Sequence, residues 1–177
     1  MICNQAGNPC DADTLALLQS SSVKTKPFDL NGRTLCARLI RCHDADTIVV
    51  TIVVNPGDVH KISCRLLGFD APEMATKNLD EKKKSIAIRK VLLRLLAPEI
   101  FDDESDWAVE KDITTQLDKN MVLLHVKLQE PDKYGRTLST IYRNADDKES
   151  LNDIMIKTTK VDQYGGGHKL RSWDKKE

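Results

Sequence analysis

The sequence predicts an α+β, mainly β fold: a small five-stranded barrel with one helix between its third and fourth strands and a short helix toward the C-terminus. Three observations predict it. Segments rich in Val, Ile, Leu and Thr recur, several with a two-residue period, and turn residues separate them. One stretch, residues 79–97, switches to the helical period. The length, 177 residues, allows one domain with a real core and is too short to make two comfortably.

Residues 1–32 are polar and end in "FDLNGRT", so they read as an N-terminal extension or loosely ordered arm. The barrel is expected over 33–167, with 168–177 as a tail. "TLCARLIRC", "TIVVTIVVN" and "VHKISCRLLGF" are three strands, the last two joined by the turn "NPGD", and together they form an antiparallel meander. In 79–97, Ile88, Val91, Leu92, Leu95 and Leu96 share one helical face, Asp80 and Glu81 suit the positive N-terminus, and Pro98 closes the helix. Residues 99–120 carry eight Asp or Glu against two Lys and read as an acidic insertion in which Trp107 pins a loop or a short helical turn. "MVLLHVKL" alternates Val122, Leu124, Val126 and Leu128 as a fourth strand, and "RTLSTIYR" is a fifth. Leu151, Ile154 and Met155 have helical spacing, and "QYGGGHK" is a loop because three glycines leave the backbone too free. Strand, strand, strand, helix, strand, strand, helix is the order of the OB-fold barrel, an order that several other small α+β folds share.

Charge narrows the options. Lys plus Arg and Asp plus Glu balance at 27 each, so no global field draws the chain to nucleic acid or an anionic membrane, and any such attraction must be local. Apolar runs fall far short of a membrane span, and the start has no basic residue ahead of its only apolar patch, so neither a membrane protein nor a secretory signal is expected. Cys3, Cys10, Cys36, Cys42 and Cys64 are odd in number and lack paired metal-type spacing, which reads as reduced thiols of an intracellular protein.

The chemistry concentrates at strand ends. Asp44 and Asp46 lie in "HDADT" between the first two strands, and Asp70 and Glu73 follow the third in "CRLLGFDAPE". In a meander the start of the second strand lies near the end of the third, so Asp46 and Asp70 approach. Two close carboxylates repel unless a proton or cation stands between them, and oxygen donors suit a hard ion, Ca²⁺ or Mg²⁺. The residue before Pro72 is held extended, which can turn the Ala71 carbonyl toward the same ion. Arg65 and Arg136 would flank it, their planar forks matching phosphate oxygens. Glu73 is then the group to orient or deprotonate water.

Those residues resemble the staphylococcal nuclease, or thermonuclease-like, family. "HDADT", "CRLLGFDAPE", "DKYGRTLSTIY" and, more weakly, "SLNDIMIK" carry the likeness, in family order, over about residues 34–167. The resemblance implies the OB barrel and calcium-dependent hydrolysis of DNA and RNA that leaves 5′-hydroxyl and 3′-phosphate ends. It implies Asp46, Asp70 and the Ala71 carbonyl as metal ligands, Asp44 near the ion through water, and Arg65, Glu73 and Arg136 as catalytic residues. Lys133 and Tyr134 match positions that contact a nucleotide phosphate, and Tyr164 resembles a substrate-side aromatic. Departures are Ala71 where members often have threonine, the stretch 99–120, the neutral charge, and "LRSWDKKE" in place of a long C-terminal helix. Without a signal peptide, the chain resembles intracellular, phage or viral relatives more than secreted ones. The expected function is a metal-dependent nuclease of low sequence specificity. The alternatives are a non-catalytic nucleic-acid-binding module and an interaction domain whose acidic insertion docks a basic protein partner.

Overall fold

The computed structural model describes residues 11–164 except 27, 103, 104, 106 and 160, and of 162–164 it describes the backbone only. Strands β1 (Thr34–Asp44), β2 (Thr47–Asn55) and β3 (Asp58–Leu66) form the expected antiparallel meander. β5 (Leu123–Pro131) pairs antiparallel with β1 and with β6 (Thr137–Tyr142), and β6 runs parallel to β3. The result is a closed barrel in the order β1-β2-β3-β6-β5. Alternation fills its interior, with Leu39, Ile48, Val50, Cys64, Leu66, Leu124, Val126 and Ile141 all fully buried.

The third expected strand is in fact two. β3 stops at Leu66, and Gly68–Asp70 forms a separate strand, β4, which pairs with β7 (Asp162–Tyr164) outside the barrel. Gly68 has φ +93°, and a Cβ there would lie 2.9 Å from Ile156 Cδ1, so the chain turns out of the barrel at a position that suits only glycine. Gln163 and Tyr164, expected in a loop, belong to β7 instead, because β4 leaves an edge for them to pair with. The glycines at 165–167 lie outside the described residues.

Helix α2 (Leu79–Leu96) starts at Asn78, whose side chain accepts the Asp80 and Glu81 N–H groups. Its buried face is Ser85, Arg89, Leu92, Leu93 and Leu96, while Ile88, Val91 and Leu95 are only partly covered. The face is therefore rotated from the expected one, and an arginine stands in its centre. The acidic stretch folds into more than a loop: α3 (Glu110–Lys119) seats Ile113 and Leu117, one turn apart and fully buried, against β1. At roughly 1.5–3 kcal/mol per fully buried aliphatic side chain, those two anchor the helix. Ahead of it Trp107, at φ +47°, meets Phe101 edge to face at 5.0 Å.

Helix α4 (Leu151–Thr158) is capped by Ser150 and buries Leu151 and Met155. Its Asn152 accepts the Ile141 N–H at 2.9 Å and donates to the carbonyls of Leu67 at 2.9 Å and Ser139 at 3.1 Å. One amide thus ties α4 to β6 and to the bend before β4. In the N-terminal extension, α1 (Ala12–Ser20) is capped by Asp11 and buries nothing. No described helix is long and apolar enough to cross a membrane.

Candidate functional site

Register brings the strand-end groups together. The β1–β2 turn places Asp44 opposite Thr47, and Thr47 is in turn the Cα partner of Arg65 on β3. Arg65 pairs next with Leu138 on β6, so the arginine sits in the middle of four strands and is buried. Its guanidinium lies 2.5 Å from Asp70 Oδ1 and 3.1 Å from Asp46 Oδ2, and it donates to the carbonyls of Leu66 and Phe69, each at 3.1 Å. Asp46 and Asp70 therefore converge on one cationic group instead of facing opposite sides of the barrel.

The chain reinforces that convergence. Asp46 also accepts the Ala71 N–H at 2.7 Å and the Thr47 hydroxyl at 3.0 Å, and its carbonyl takes the Leu66 N–H at 2.7 Å. Asp44 accepts the Met74 N–H at 3.2 Å, which docks the 71–74 loop on the same turn. Burial pushes the Asp46 carboxyl above the ordinary range, outweighing its ion pair with Arg65, and Asp70 adds to the rise. Asp44 is pushed up by burial as well, with His43 opposing and the charge of Glu73 adding to it. Glu73, half-buried on the loop, thus acts on the same cluster.

Arg136 reaches the site from the β5–β6 turn. Asp132 holds it there: Oδ1 accepts the backbone N–H of Tyr134 and of Arg136, and Oδ2 receives the guanidinium at 2.7–2.8 Å. Burial opposes ionisation of Asp132, but these bonds win and hold its carboxyl below the usual range. The remaining Nη1 lies 3.4 Å from the Thr47 hydroxyl, so Arg65 and Arg136 both approach Thr47. Tyr134 is exposed, with the Arg136 guanidinium 5.4 Å and Lys133 Nζ 5.0 Å from its ring centre. Tyr164 pairs through its backbone with Gly68, two residues from Asp70, and its side chain lies outside the described residues.

Three positioning groups escaped the sequence reading. Glu81 accepts the Glu73 N–H at 3.4 Å and the Thr76 hydroxyl at 2.6 Å, fixing the loop that carries Glu73. The spacing Asn78 to Glu81 is that of a capping box and was the available signal. His43 lies 2.8 Å from Glu110 of α3 and 3.9 Å from Asp44, linking the helix to the cluster. Arg89 donates to the carbonyls of His43, Trp107 and Ala108 at 2.8–3.1 Å, and nothing local announces it. Among the described residues, no three His, Cys, Asp or Glu side chains group as a ready-made metal cage.

A model of the staphylococcal nuclease homologue family matches residues 63–164. No curated protein matches the chain. The match contains Arg65, Asp70, Glu73 and Arg136, and it begins after the β1–β2 turn that supplies Asp44 and Asp46. Because it spans more than half of the sequence and lies on a closed five-stranded barrel, the chain belongs to the staphylococcal nuclease homologue family.

Proposed function

We infer that this protein is a divalent-cation-dependent nuclease that hydrolyses DNA and RNA phosphodiesters with little sequence preference. The observation that carries the reading is the convergence of Asp46 and Asp70 on Arg65, with Glu73 and Arg136 at the same barrel end. Asp44, Asp46 and Asp70 are all buried there, and the single guanidinium of Arg65 contacts both Asp46 and Asp70. That excess of negative charge on hard oxygen donors fits Ca²⁺ or a similar ion, held by Asp46, Asp70 and the Ala71 carbonyl, with Asp44 reaching it through water. When bound, such an ion supplies Lewis-acid polarisation of a phosphate oxygen.

The chain's own groups have separate tasks. Glu73 orients the attacking water and takes its proton; the water oxygen bonds to phosphorus as the bond to the departing 5′-oxygen breaks and that oxygen gains a proton. Arg136 neutralises charge on the phosphate, and Arg65 does so while holding the two acids in place. Lys133 and Tyr134, exposed at the rim, contact the neighbouring nucleotide. Little base selectivity follows, because none of these groups is built to read a base edge.

Plasmid DNA and single-stranded RNA, incubated with Ca²⁺, Mg²⁺ or a chelator, test the reading. Cation-dependent cutting by the wild type should fall ~10²–10⁴-fold in Glu73→Ala, the range for loss of a general base. Undiminished cutting by Glu73→Ala sinks it, whereas binding without cutting by the wild type favours a non-catalytic module.

A further inference from the structure

The outer face of the meander continues away from this barrel end. On β3, Arg65, Ser63 and Lys61 share the face opposite the buried Cys64 and Leu66. Pairing sets Thr47, Val49 and Thr51 beside them on β2, with Arg41 and Arg38 beyond on β1. Helix α3 stands over β1, leaving between itself and the outer side of β2 and β3 a trench of about 790 Å³. Its lining includes the side chains of Ile40, Val49, Arg41, Lys61 and Lys111.

The trench lining carries three cations, Arg41, Lys61 and Lys111, against two carboxylates, and the Arg41–Glu110 pair leaves the two lysines against Asp118. Glu110 lines it too, but its carboxylate is taken by Arg41 and His43, and Asp118 lies at the far end of α3. Lys61 and Lys111 are exposed and have no ion-pair partner among the described residues. We propose that the trench is a second nucleic-acid subsite, in which Lys61 of β3 and Lys111 of α3 bind backbone phosphates of the strand leading away from the scissile bond. The proposal rests on the nuclease reading for the position of that bond. Four residues separate Lys61 from Arg65, ~13 Å at about 3.3 Å per residue. A stacked strand advances ~3.4 Å per nucleotide, so only substrates extending roughly four nucleotides past the cleavage point reach these lysines. Among the described residues no aromatic ring lines the trench, so it holds the strand by charge and is indifferent to sequence.

The test uses the full chain with single-stranded DNA of about three and about sixteen nucleotides. Fluorescence anisotropy in a Glu73→Gln background measures binding across a salt series, and kcat/KM is measured in the otherwise wild-type protein. Lys61→Glu with Lys111→Glu should weaken binding of the longer strand about tenfold or more and flatten the log–log salt slope by ~0.7 per lysine. Binding and cleavage of the short strand should stay within about twofold. The neutral pair Lys61→Gln and Lys111→Gln should flatten the slope in the same way, which guards against a misfolded charge reversal. Unchanged long-strand affinity and slope overturn the trench and leave the nuclease reading standing if cutting persists. A wild type that cuts nothing overturns the nuclease reading, and anisotropy still decides the trench.

Discussion

Arg65 and Asp70 meet at 2.5 Å between Nη2 and Oδ1, each almost wholly withdrawn from solvent. Removing one member of a buried ion pair strands the other, at a typical cost of about 3–5 kcal/mol. Arg65→Ala is therefore expected to lose both cutting and about that much stability in urea unfolding at neutral pH. Arg65→Lys should recover part of the stability and little of the activity, because an ammonium cannot serve two carboxylates and two carbonyls in one plane. A loss under about 1 kcal/mol in Arg65→Ala would show that the cluster is wetter than described.

Acid should favour the two raised carboxyls. Burial lifts Asp44 and Asp46 above the ordinary value of 3.8, so the folded state holds their protons more tightly than the unfolded one. Their contribution is then complete below 3.8 and is lost as pH rises through the folded-state values. Asp132 and Glu110, both lowered, run the other way, so the comparison must isolate one group. Wild type should gain stability relative to Asp46→Asn as pH falls toward 4, by urea titration at each pH. Millimolar Ca²⁺ should raise the wild-type melting temperature more at neutral than at acid pH, since protons compete for the same oxygens. A wild-type-to-variant difference that is flat with pH would refute the assignment.

Asn152 is a joint whose three bonds can be counted. Asn152→Ala deprives the Ile141 N–H of its acceptor and leaves the Leu67 carbonyl without this donor, which predicts a loss of about 1–3 kcal/mol. Because Leu67 precedes the strand that carries Asp70, activity should fall further than the lost stability explains. Thermal unfolding and kcat, both measured well below the melting temperature, separate the two effects.

Thiol chemistry reports on the barrel interior. Burial pushes the Cys42 thiol up to about 12 and the Cys64 thiol up to about 11, while Cys36 is exposed. In a Cys3→Ser, Cys10→Ser background, a thiol reagent at neutral pH should label Cys36 promptly and the other two only on unfolding. Rapid labelling of more than one site by mass spectrometry would contradict the described core.

Much of this molecule can be read from local pattern, and the exceptions share a cause. Alternation in "TIVVTIVVN" and "MVLLHVKL" locates strands because one face is buried, and "NPGD" marks its turn by residue chemistry alone. The grouping of Asp46, Asp70 and Arg65 was likewise deducible, since antiparallel pairing dictates which strand ends meet. Leu93 and Arg89 entering the buried face of α2, the seating of Ile113 and Leu117 on β1, and the pairing of β4 with β7 were not. Each depends on a partner distant in sequence, and an acidic helix with two apolar anchors looks locally like solvated chain.

Arg89 bears on how the acidic segment could ever be shed. Its side chain is fully buried, and two of its three acceptor carbonyls belong to Trp107 and Ala108, just ahead of α3. Excising that segment would maroon a cation inside the protein unless residue 89 changed in the same step. The dependence runs one way: the segment can change around those two carbonyls, but a variant lacking it should fold only when Arg89 is also replaced by a neutral side chain.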